Sequence, residues 1–323
     1  MLGEFDLIAR YFAPLSQGAP GSYGLRNDAA LIVPRSGESL VATADTLVAG
    51  VHFLPDDPAE LVARKALRVN LSDLAAMGAE PLGYLLTLAA PKELEESWLA
   101  EFVYGLAVDQ GAYGVRLLGG DTTSTPGPLT LTVVAFGSVP AALALDRQSA
   151  QVGDGIYLSG TLGDAALGLR VLQGRLTLPE EDAAFVTLRY RLPAPRVALG
   201  QALRGRASAC LDVSDGLLAD LGHLCRESGV AARLEAEAFP LSRAGKQAIT
   251  QQPEILSSLV SGGDDYELLF TLPVAQDAAL RQCAQDLAVP VTQIGRVEKG
   301  QSVRVYDGSG RQMAFPRQGW THF

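Results

Sequence analysis

The sequence LTLTVVAFGSV at residues 129–139 is followed by PAALALDRQSAQVG at 140–153 and by DGIYLS at 154–159. The first run is β-branched and apolar, as a strand is, whereas the second lacks clear periodicity and ends in a Gly-Asp-Gly turn. A new apolar strand begins immediately afterwards. We therefore predict two domains, 1–145 and 146–323, which a chain of 323 residues is long enough to form.

On both sides of this boundary, short apolar runs alternate with stretches of helical periodicity. In the first domain we predict a helix through Leu2, Phe5, Ile8 and Phe12, strands at 29–33, 39–44, 82–89, 115–118 and 129–139, and helices at 58–77 and 95–113. In the second we predict strands at 156–159, 207–211, 231–235, 267–272 and 291–297, and helices at 164–173, 195–204, 217–227 and 275–287. The pattern favours an α/β (α+β) fold class, with mixed sheets and packed helices in each domain.

Composition excludes several classes of protein. Apolar residues make up 48% of the chain, and 26 basic against 36 acidic side chains give a net charge of −10, so we expect no nucleic-acid partner and no membrane partner. The three cysteines, an odd number without a CxxC pair, favour a reducing compartment. Acids near the N-terminus, where a secretory signal carries basic residues, complete the expectation of a cytoplasmic protein.

Aspartate recurs beside Gly, Ser or Thr at strand ends or inside a helix. The six segments are NDAA (27–30), TADT (43–46), NLSDL (70–74), GGDTT (119–123), DVSDG (212–216) and GGDDY (262–266). A carboxylate among apolar neighbours is unfavourable unless a cation or hydrogen bonds satisfy it, and oxygen ligands without a His/Cys cluster suit Mg²⁺ or Mn²⁺. Taken singly, each Asp is more simply a helix cap or turn former; six together favour a metal site.

A site of many aspartates suits a substrate with several phosphates, such as a nucleoside triphosphate. However, the chain lacks the GxxxxGK[ST], GxGxxG and protein-kinase motifs. The segment SGTLGD at 159–164 is a weak anion-binding candidate, better explained by strand-to-helix packing. Three scattered histidines do not make a catalytic triad. Among them only His52, shortly after Asp45, is a candidate for a functional role.

Five ordered motifs resemble the thiamine-monophosphate kinase family. They are DTLVAGVHF (45–53), VNLSDLAAMG (69–78), GGDTT (119–123), DVSDGL (212–217) and SGGDDYEL (261–268), and the likeness extends from Glu4-Phe5 to the terminal GWTHF (319–323). The resemblance implies ATP-dependent phosphorylation of thiamine phosphate to thiamine diphosphate. It also implies an aminoimidazole-ribonucleotide-synthetase-like fold, a homodimer joined through the N-terminal domains, and several Mg²⁺ ions between the two domains.

The resemblance also implies roles for individual residues. The metal ligands would be Asp28, Thr43, Ala44, Asp45, Asp73, Asp121, Asp212 and Asp215. The ATP contacts would be Gly120, Asp121, Arg147 and Ser214, and the thiamine phosphate contacts would be His52, Asp264 and Trp320. Ala44 stands where the family has a hydroxyl residue, so a metal contact there must come from its backbone carbonyl or be absent. Asp264 replaces a Glu, which shortens its reach.

The chemistry agrees with this assignment. The acceptor is a phosphate monoester whose second pKa is about 6, so it is largely deprotonated near neutral pH and needs no general base. We therefore expect direct in-line transfer, with Mg²⁺ offsetting the repulsion between two polyanions. Trp320 would stack on a thiamine ring or, equally, seal the core. Alternative functions are another ATP-dependent enzyme of the superfamily, a noncatalytic nucleotide or Mg²⁺ sensor, and a phosphohydrolase.

Overall fold

The computed structural model describes residues 4–317 and 319–320, which form two compact units. The first unit comprises Met1–Leu74 and Ala79–Ala142, and the second comprises Ala75–Gly78 and Leu143–Phe323. Leu2 of the expected opening helix, and residues 321–323 of the last motif, lie outside the described residues. None of the helices in the described part of the chain is both long and apolar enough to cross a bilayer.

The first unit is built on a four-stranded sheet in the order β1-β4-β2-β3, in which only the β2–β3 pair is parallel. Its helices and strands are α1 (Glu4–Leu7), β1 (Glu38–Val48), α2 (Ala59–Ala76), β2 (Glu80–Pro91), α3 (Glu96–Tyr113), β3 (Leu117–Thr125) and β4 (Thr130–Pro140). The two long helices lie on one face of the sheet. The Thr43 hydroxyl on β1 donates to Asp73 on α2, and Gln110 on α3 donates to Tyr84 on β2. Because Thr43 and Tyr84 both pair with Ala135, the two contacts are on the same face.

Two predictions for this unit are wrong in part. The opening segment is not one α-helix, because α1 passes into a π-helical turn at Ile8–Phe12 and a 3-10 turn at Ala13–Ser16. The strand expected at 29–33 is absent. Leu31 and Val33 are 58% and 76% exposed, so this apolar run is not paired into the sheet.

The second unit is built on a seven-stranded mixed sheet in the order β11-β10-β7-β9-β5-β8-β6. Its strands are β5 (Gly155–Ser159), β6 (Ala209–Asp212), β7 (Ala231–Glu235), β8 (Leu268–Leu272), β9 (Val291–Glu298), β10 (Val303–Tyr306) and β11 (Gln312–Met313). Its helices are α4 (Asp164–Leu172), α5 (Glu180–Arg191), α6 (Val197–Leu203), α7 (Leu217–Ser228), α8 (Arg243–Gln251), α9 (Ile255–Ser261) and α10 (Asp277–Asp286). The sequence did not predict α5, α8, α9, β10 or β11.

Strands β5 and β8 and the neighbouring edge strand β6 are buried along their whole length. Ile156, Leu211 and Leu269 pack there with Leu217 and Leu221 of α7 in one apolar cluster. This cluster holds the C-terminal end of β6 and the start of α7 in place. The short loop between them is therefore anchored at both ends by buried residues, so its position is fixed by a rigid scaffold, as is common for binding loops.

Candidate functional site

Two aspartates and a threonine meet on the helix-covered face of the first unit. The Thr43 hydroxyl donates to Asp73 over 2.5 Å. Burial, the charge of Asp73 and a hydrogen bond with Asp73 together raise the pKa of Asp45 to about 7, and burial is the largest of the three causes. Two carboxylates held this close repel each other unless a proton or a cation lies between them. Thr43, Asp45 and Asp73 thus form one oxygen-rich group whose chemistry suits a hard dication.

Asp121 lies on the opposite face of the same sheet. It pairs with Thr87, which pairs with Thr132, which pairs with Thr46, and this row alternates with the row that contains Asp45. Ala44 lies two residues before Thr46 on β1, so it shares this face, and it is exposed. Asn27, Asp28, Gly120 and Asp121 line one cavity of about 540 Å³, whose lining does not include Asp45. Asp28 and Asp121 are therefore grouped with each other rather than with Asp45.

Gly120 has a structural reason to be glycine. Its φ is 156°, and a Cβ atom there would lie 1.8 Å from the carbonyl oxygen of Leu86 on the paired strand β2. The close approach of the two strands keeps the backbone of β3 at the cavity wall beside Asp121. At this position, then, the wall of the cavity is backbone rather than side chain.

His52 lies in the turn that follows β1. Its Nδ1 accepts the Val48 backbone N–H over 3.0 Å, and Lys65 donates to its carbonyl oxygen over 2.9 Å. Because Nδ1 is an acceptor, the neutral ring carries its proton on Nε2. His52 thus presents a hydrogen-bond donor at Nε2, and its Nδ1 is not available as a base.

In the second unit, the loop between β6 and α7 collects three of the predicted residues and two segments far away in sequence. Asp212 ends β6 and is buried, and Ser214 and Asp215 follow it. The Asp264 N–H donates to the carbonyl of Ser214 over 2.9 Å, and the Trp320 N–H donates to the carbonyl of Asp215 over 3.0 Å. The structure therefore brings Asp212, Ser214, Asp215, Asp264 and Trp320 together.

The two distant residues differ in exposure, because Asp264 is partly buried whereas Trp320 is exposed. Asp264 has a φ of 72°, a left-handed conformation that Asp tolerates better than most residues. The Trp320 side chain is 56% exposed, which does not suit a residue that seals a core. Of the two roles considered for Trp320, ring stacking on a bound molecule is the one its exposure favours.

Arg147 lies near the same loop. It is exposed, and its carbonyl oxygen accepts the Ser228 hydroxyl over 2.7 Å. Its positive charge acts on the buried carboxyl of Asp220, whose pKa rises to about 7 through burial and the charge of Asp215, against the lowering influence of Arg147. The guanidinium is thus close enough to the loop to attract an anion bound there.

Sequence reasoning missed a buried ionic cluster around Glu267. This side chain is 1% exposed, accepts the Ser159 hydroxyl over 2.5 Å, and binds Arg189 over 2.8 Å and Arg196 through both carboxylate oxygens over 2.6 Å. Both arginines come from helical segments whose packing the sequence pattern does not reveal. The cluster stabilises the strand that directly follows the loop of Asp264, so it supports the site indirectly.

Within the described residues, no set of three or more His, Cys, Asp or Glu side chains is close enough to hold a metal ion. The structure instead shows three separate groups. Asp45 lies beside Asp73, Asp28 and Asp121 line one cavity, and Asp212 and Asp215 belong to one loop. The joint ligation of Mg²⁺ by all the predicted residues stays a prediction.

Comparisons with known proteins first define the class. Residues 26–139 match the family of AIR synthase related protein, N-terminal domain, and residues 151–308 match its C-terminal domain. The crystal structure of thiamine-monophosphate kinase from Stenotrophomonas maltophilia superimposes with a TM-score of 0.82 at 45% identity, covering 89% of this chain and 90% of that one. The protein is thus a two-domain AIR synthase related protein, as the fold class predicted.

The particular family follows from the relatives. Thiamine-monophosphate kinase of Salmonella typhimurium is 45% identical over 99% of this chain and 98% of its own length. The structure of AaThiL complexed with AMPPCP and TMP has a TM-score of 0.79 at 32% identity and covers 100% of this chain and 97% of that one. The chain belongs to the thiamine-monophosphate kinase family, which confirms the resemblance found in its motifs.

Proposed function

We propose that this protein transfers the γ-phosphoryl group of ATP to thiamine phosphate, which gives thiamine diphosphate and ADP. The observation that carries the proposal is the match over the whole chain to thiamine-monophosphate kinases, one of which, AaThiL, was solved with AMPPCP and TMP. AMPPCP resembles ATP with a methylene bridge in place of the β,γ oxygen. One relative has therefore been solved with an analogue of the proposed phosphoryl donor and with TMP, the proposed acceptor.

The transfer itself needs no general base from the protein. An oxygen of the acceptor phosphate attacks the γ-phosphorus, and the bond between that phosphorus and the β,γ-bridging oxygen breaks, so that ADP leaves with the electron pair. The attacking oxygen is already largely deprotonated at neutral pH. The geometry of His52 fits this scheme, because its Nδ1 is engaged by a backbone N–H. Catalysis then consists of positioning and charge neutralisation.

The predicted residues take three roles in this proposal. Mg²⁺ would neutralise phosphate charge, held by Asp28, Thr43, Ala44, Asp45, Asp73, Asp121, Asp212 and Asp215. ATP would contact Gly120, Asp121, Arg147 and Ser214, while thiamine phosphate would contact His52, Asp264 and Trp320. Each domain would contribute: the first dimerises and supplies metal and ATP phosphate contacts, and the second completes the nucleotide and substrate contacts.

The proposal includes a cytoplasmic homodimer. Leu31, Val33 and Leu40 of the first unit are each more than 40% exposed, and apolar side chains in such number on one unit favour a protein contact. The three cysteines are free thiols, in keeping with a reducing compartment. Sedimentation equilibrium tests the assembly: a mass of one chain at micromolar concentration would contradict it.

The decisive experiment incubates the purified protein with ATP, Mg²⁺ and thiamine phosphate. We expect thiamine diphosphate and ADP to form in equal amounts, and no ATP to be consumed without the acceptor. Free phosphate released from ATP alone would indicate a phosphohydrolase. Nucleotide binding without turnover would indicate a sensor, and turnover only with a different acceptor would indicate another reaction of this superfamily.

A further inference from the structure

Helix α7 begins in an unusual way. Its N-cap is Gly216, which has a φ of 117° and no side chain with which to satisfy the first N–H groups of the helix. Asp220, in the first turn, instead accepts N–H groups of the loop that precedes the helix. One oxygen of its carboxylate, Oδ2, accepts the backbone N–H of Ser214 over 3.1 Å, of Asp215 over 3.0 Å and of Gly216 over 3.1 Å.

Asp220 therefore determines which way the peptide groups of this loop point. Their N–H groups converge on its carboxylate, while the carbonyl groups of Ser214 and Asp215 accept the N–H groups of Asp264 and Trp320. A single buried side chain, 7% exposed, thus holds the loop to which two other candidate substrate-binding segments are attached. Asp220 does not belong to any of the contacts proposed above.

We propose that Asp220 is a positioning residue for the phosphoryl transfer, acting through the Ser214–Gly216 backbone rather than by touching either substrate. The inference depends on the proposed function. Without the carboxylate, three N–H groups lose their acceptor and the loop turns to find others. That rotation moves Ser214 and Asp215 directly, and it moves Asp264 and Trp320 through their hydrogen bonds. A displacement of about 1 Å is enough to reduce a rate about 100-fold.

A purely structural role for Asp220, as a cap that stabilises α7, is the competing explanation. Asp154 offers a matched control. It is also a buried carboxyl, 4% exposed, that accepts a turn N–H, from Gln151 over 3.0 Å. Strands β5 and β6 both run antiparallel to β8, so Asp154, just before β5, and Asp212, at the end of β6, lie at opposite ends of the sheet. Loss of either carboxyl weakens a turn, but only the turn held by Asp220 carries the candidate site residues.

The test compares Asp220→Ala, Asp220→Asn and Asp154→Ala with the unaltered enzyme at a temperature where circular dichroism shows each to be folded. We expect kcat/KM for thiamine phosphate to fall about 100-fold in Asp220→Ala. Asp220→Asn, whose amide oxygen still accepts N–H groups, should lose only about tenfold. Asp154→Ala should keep both kcat and KM within about twofold while its unfolding midpoint falls.

Wild-type constants in folded Asp220→Ala, or an equal kinetic loss in Asp154→Ala, would overturn the proposal. Should Asp220→Ala not fold, Asp220→Asn decides, since a kcat/KM within twofold of wild type would overturn it as well. Should the unaltered enzyme fail to use thiamine phosphate, the proposed function fails but the positioning role is still read from the affinity for AMPPCP with Mg²⁺. An unchanged affinity in both Asp220 variants would then refute it.

Discussion

Asp45 and Asp73 bring two carboxyl groups together in a partly buried position, where their mutual repulsion does not favour folding. Because burial and the Asp73 charge raise the pKa of Asp45 from 3.8 to about 7, the folded protein binds more protons than the unfolded chain between those values. The contribution of Asp45 to the free energy of unfolding without metal therefore decreases as pH rises from about 4 to about 7. Such a loss of stability is expected where residues are arranged to bind a ligand instead of to stabilise the fold.

Asp73→Asn should remove part of this penalty and also abolish turnover. The variant lacks the charge that repels Asp45, while its amide oxygen can still accept the Thr43 hydroxyl. In EDTA we expect it to be more stable than the wild-type protein at pH 8 and nearly equal at pH 4, as measured by urea unfolding. With Mg²⁺, thiamine diphosphate formation should fall at least about 100-fold.

The control for this variant is Asp56→Asn, an exposed aspartate in the loop before α2, which should change neither quantity. If Asp73→Asn retained near-normal activity, the assignment of Asp73 to the metal site would be refuted. If it lost stability at pH 8 instead, the carboxylate would be part of the structural framework.

Trp320→Ala tests the exposed indole. Stacking on a cationic thiazolium is worth about 1–2 kcal/mol, so KM for thiamine phosphate should rise about tenfold while KM for ATP stays within about twofold. Tyr104→Ala removes an aromatic ring of similar exposure, 60%, on α3 and should leave both constants unchanged. Equal increases for the two substrates would reassign Trp320 to the packing of the terminal segment.

At the scale of elements, the close pairing of β2 and β3 depends on one residue. A methyl group at Gly120 would lie 1.8 Å from the Leu86 carbonyl oxygen, which is part of the ladder and cannot move aside. Gly120→Ala should therefore decrease the free energy of unfolding by about 3 kcal/mol or more. Gly119→Ala is the matched control, because its new methyl group meets only the end of the Leu85 side chain at 3.3 Å.

Urea unfolding of both variants measures this difference, and for Gly119→Ala we expect a change within about 1 kcal/mol. A Gly120→Ala protein of wild-type stability would show that β3 can separate from β2 at this point. In that case the backbone of Gly120 would not be a fixed wall of the cavity beside Asp121.

For the molecule as a whole, charge sets the conditions for binding. A protein of net charge −10 repels a nucleotide that carries several negative charges, unless cations accompany it. AMPPCP at 100 times its Kd should stabilise the protein by about 2.7 kcal/mol in the presence of Mg²⁺ and shift Tm by several degrees. The same nucleotide in EDTA should have no measurable effect. An equal shift in EDTA would mean that arginines, and not metal ions, neutralise the phosphates.

Much of the architecture follows from local patterns. The predicted strand at 231–235 has the observed bounds, and α2, α3, α4 and α7 differ from prediction by at most two residues at either end. Prediction from local periodicity failed in segments where the pattern of apolar residues does not match the pattern of burial. Helix α5 has a polar first turn and exposes Phe185 and Leu188, so no clear apolar stripe announces it, and the apolar run at 29–33 lies exposed outside the sheet.

The sequence by itself determined the two-part α/β organisation, the family and the oxygen-rich chemistry of the site, because these depend on residue type and on spacing along the chain. Only the tertiary structure decided which residues meet. Asp45 contacts Asp73 and not Asp121, Asp264 binds the backbone of Ser214, and Asp220 gathers the N–H groups of the loop. The physical reason is that such pairings arise from strand register and helix packing between segments distant in sequence, which no local pattern records.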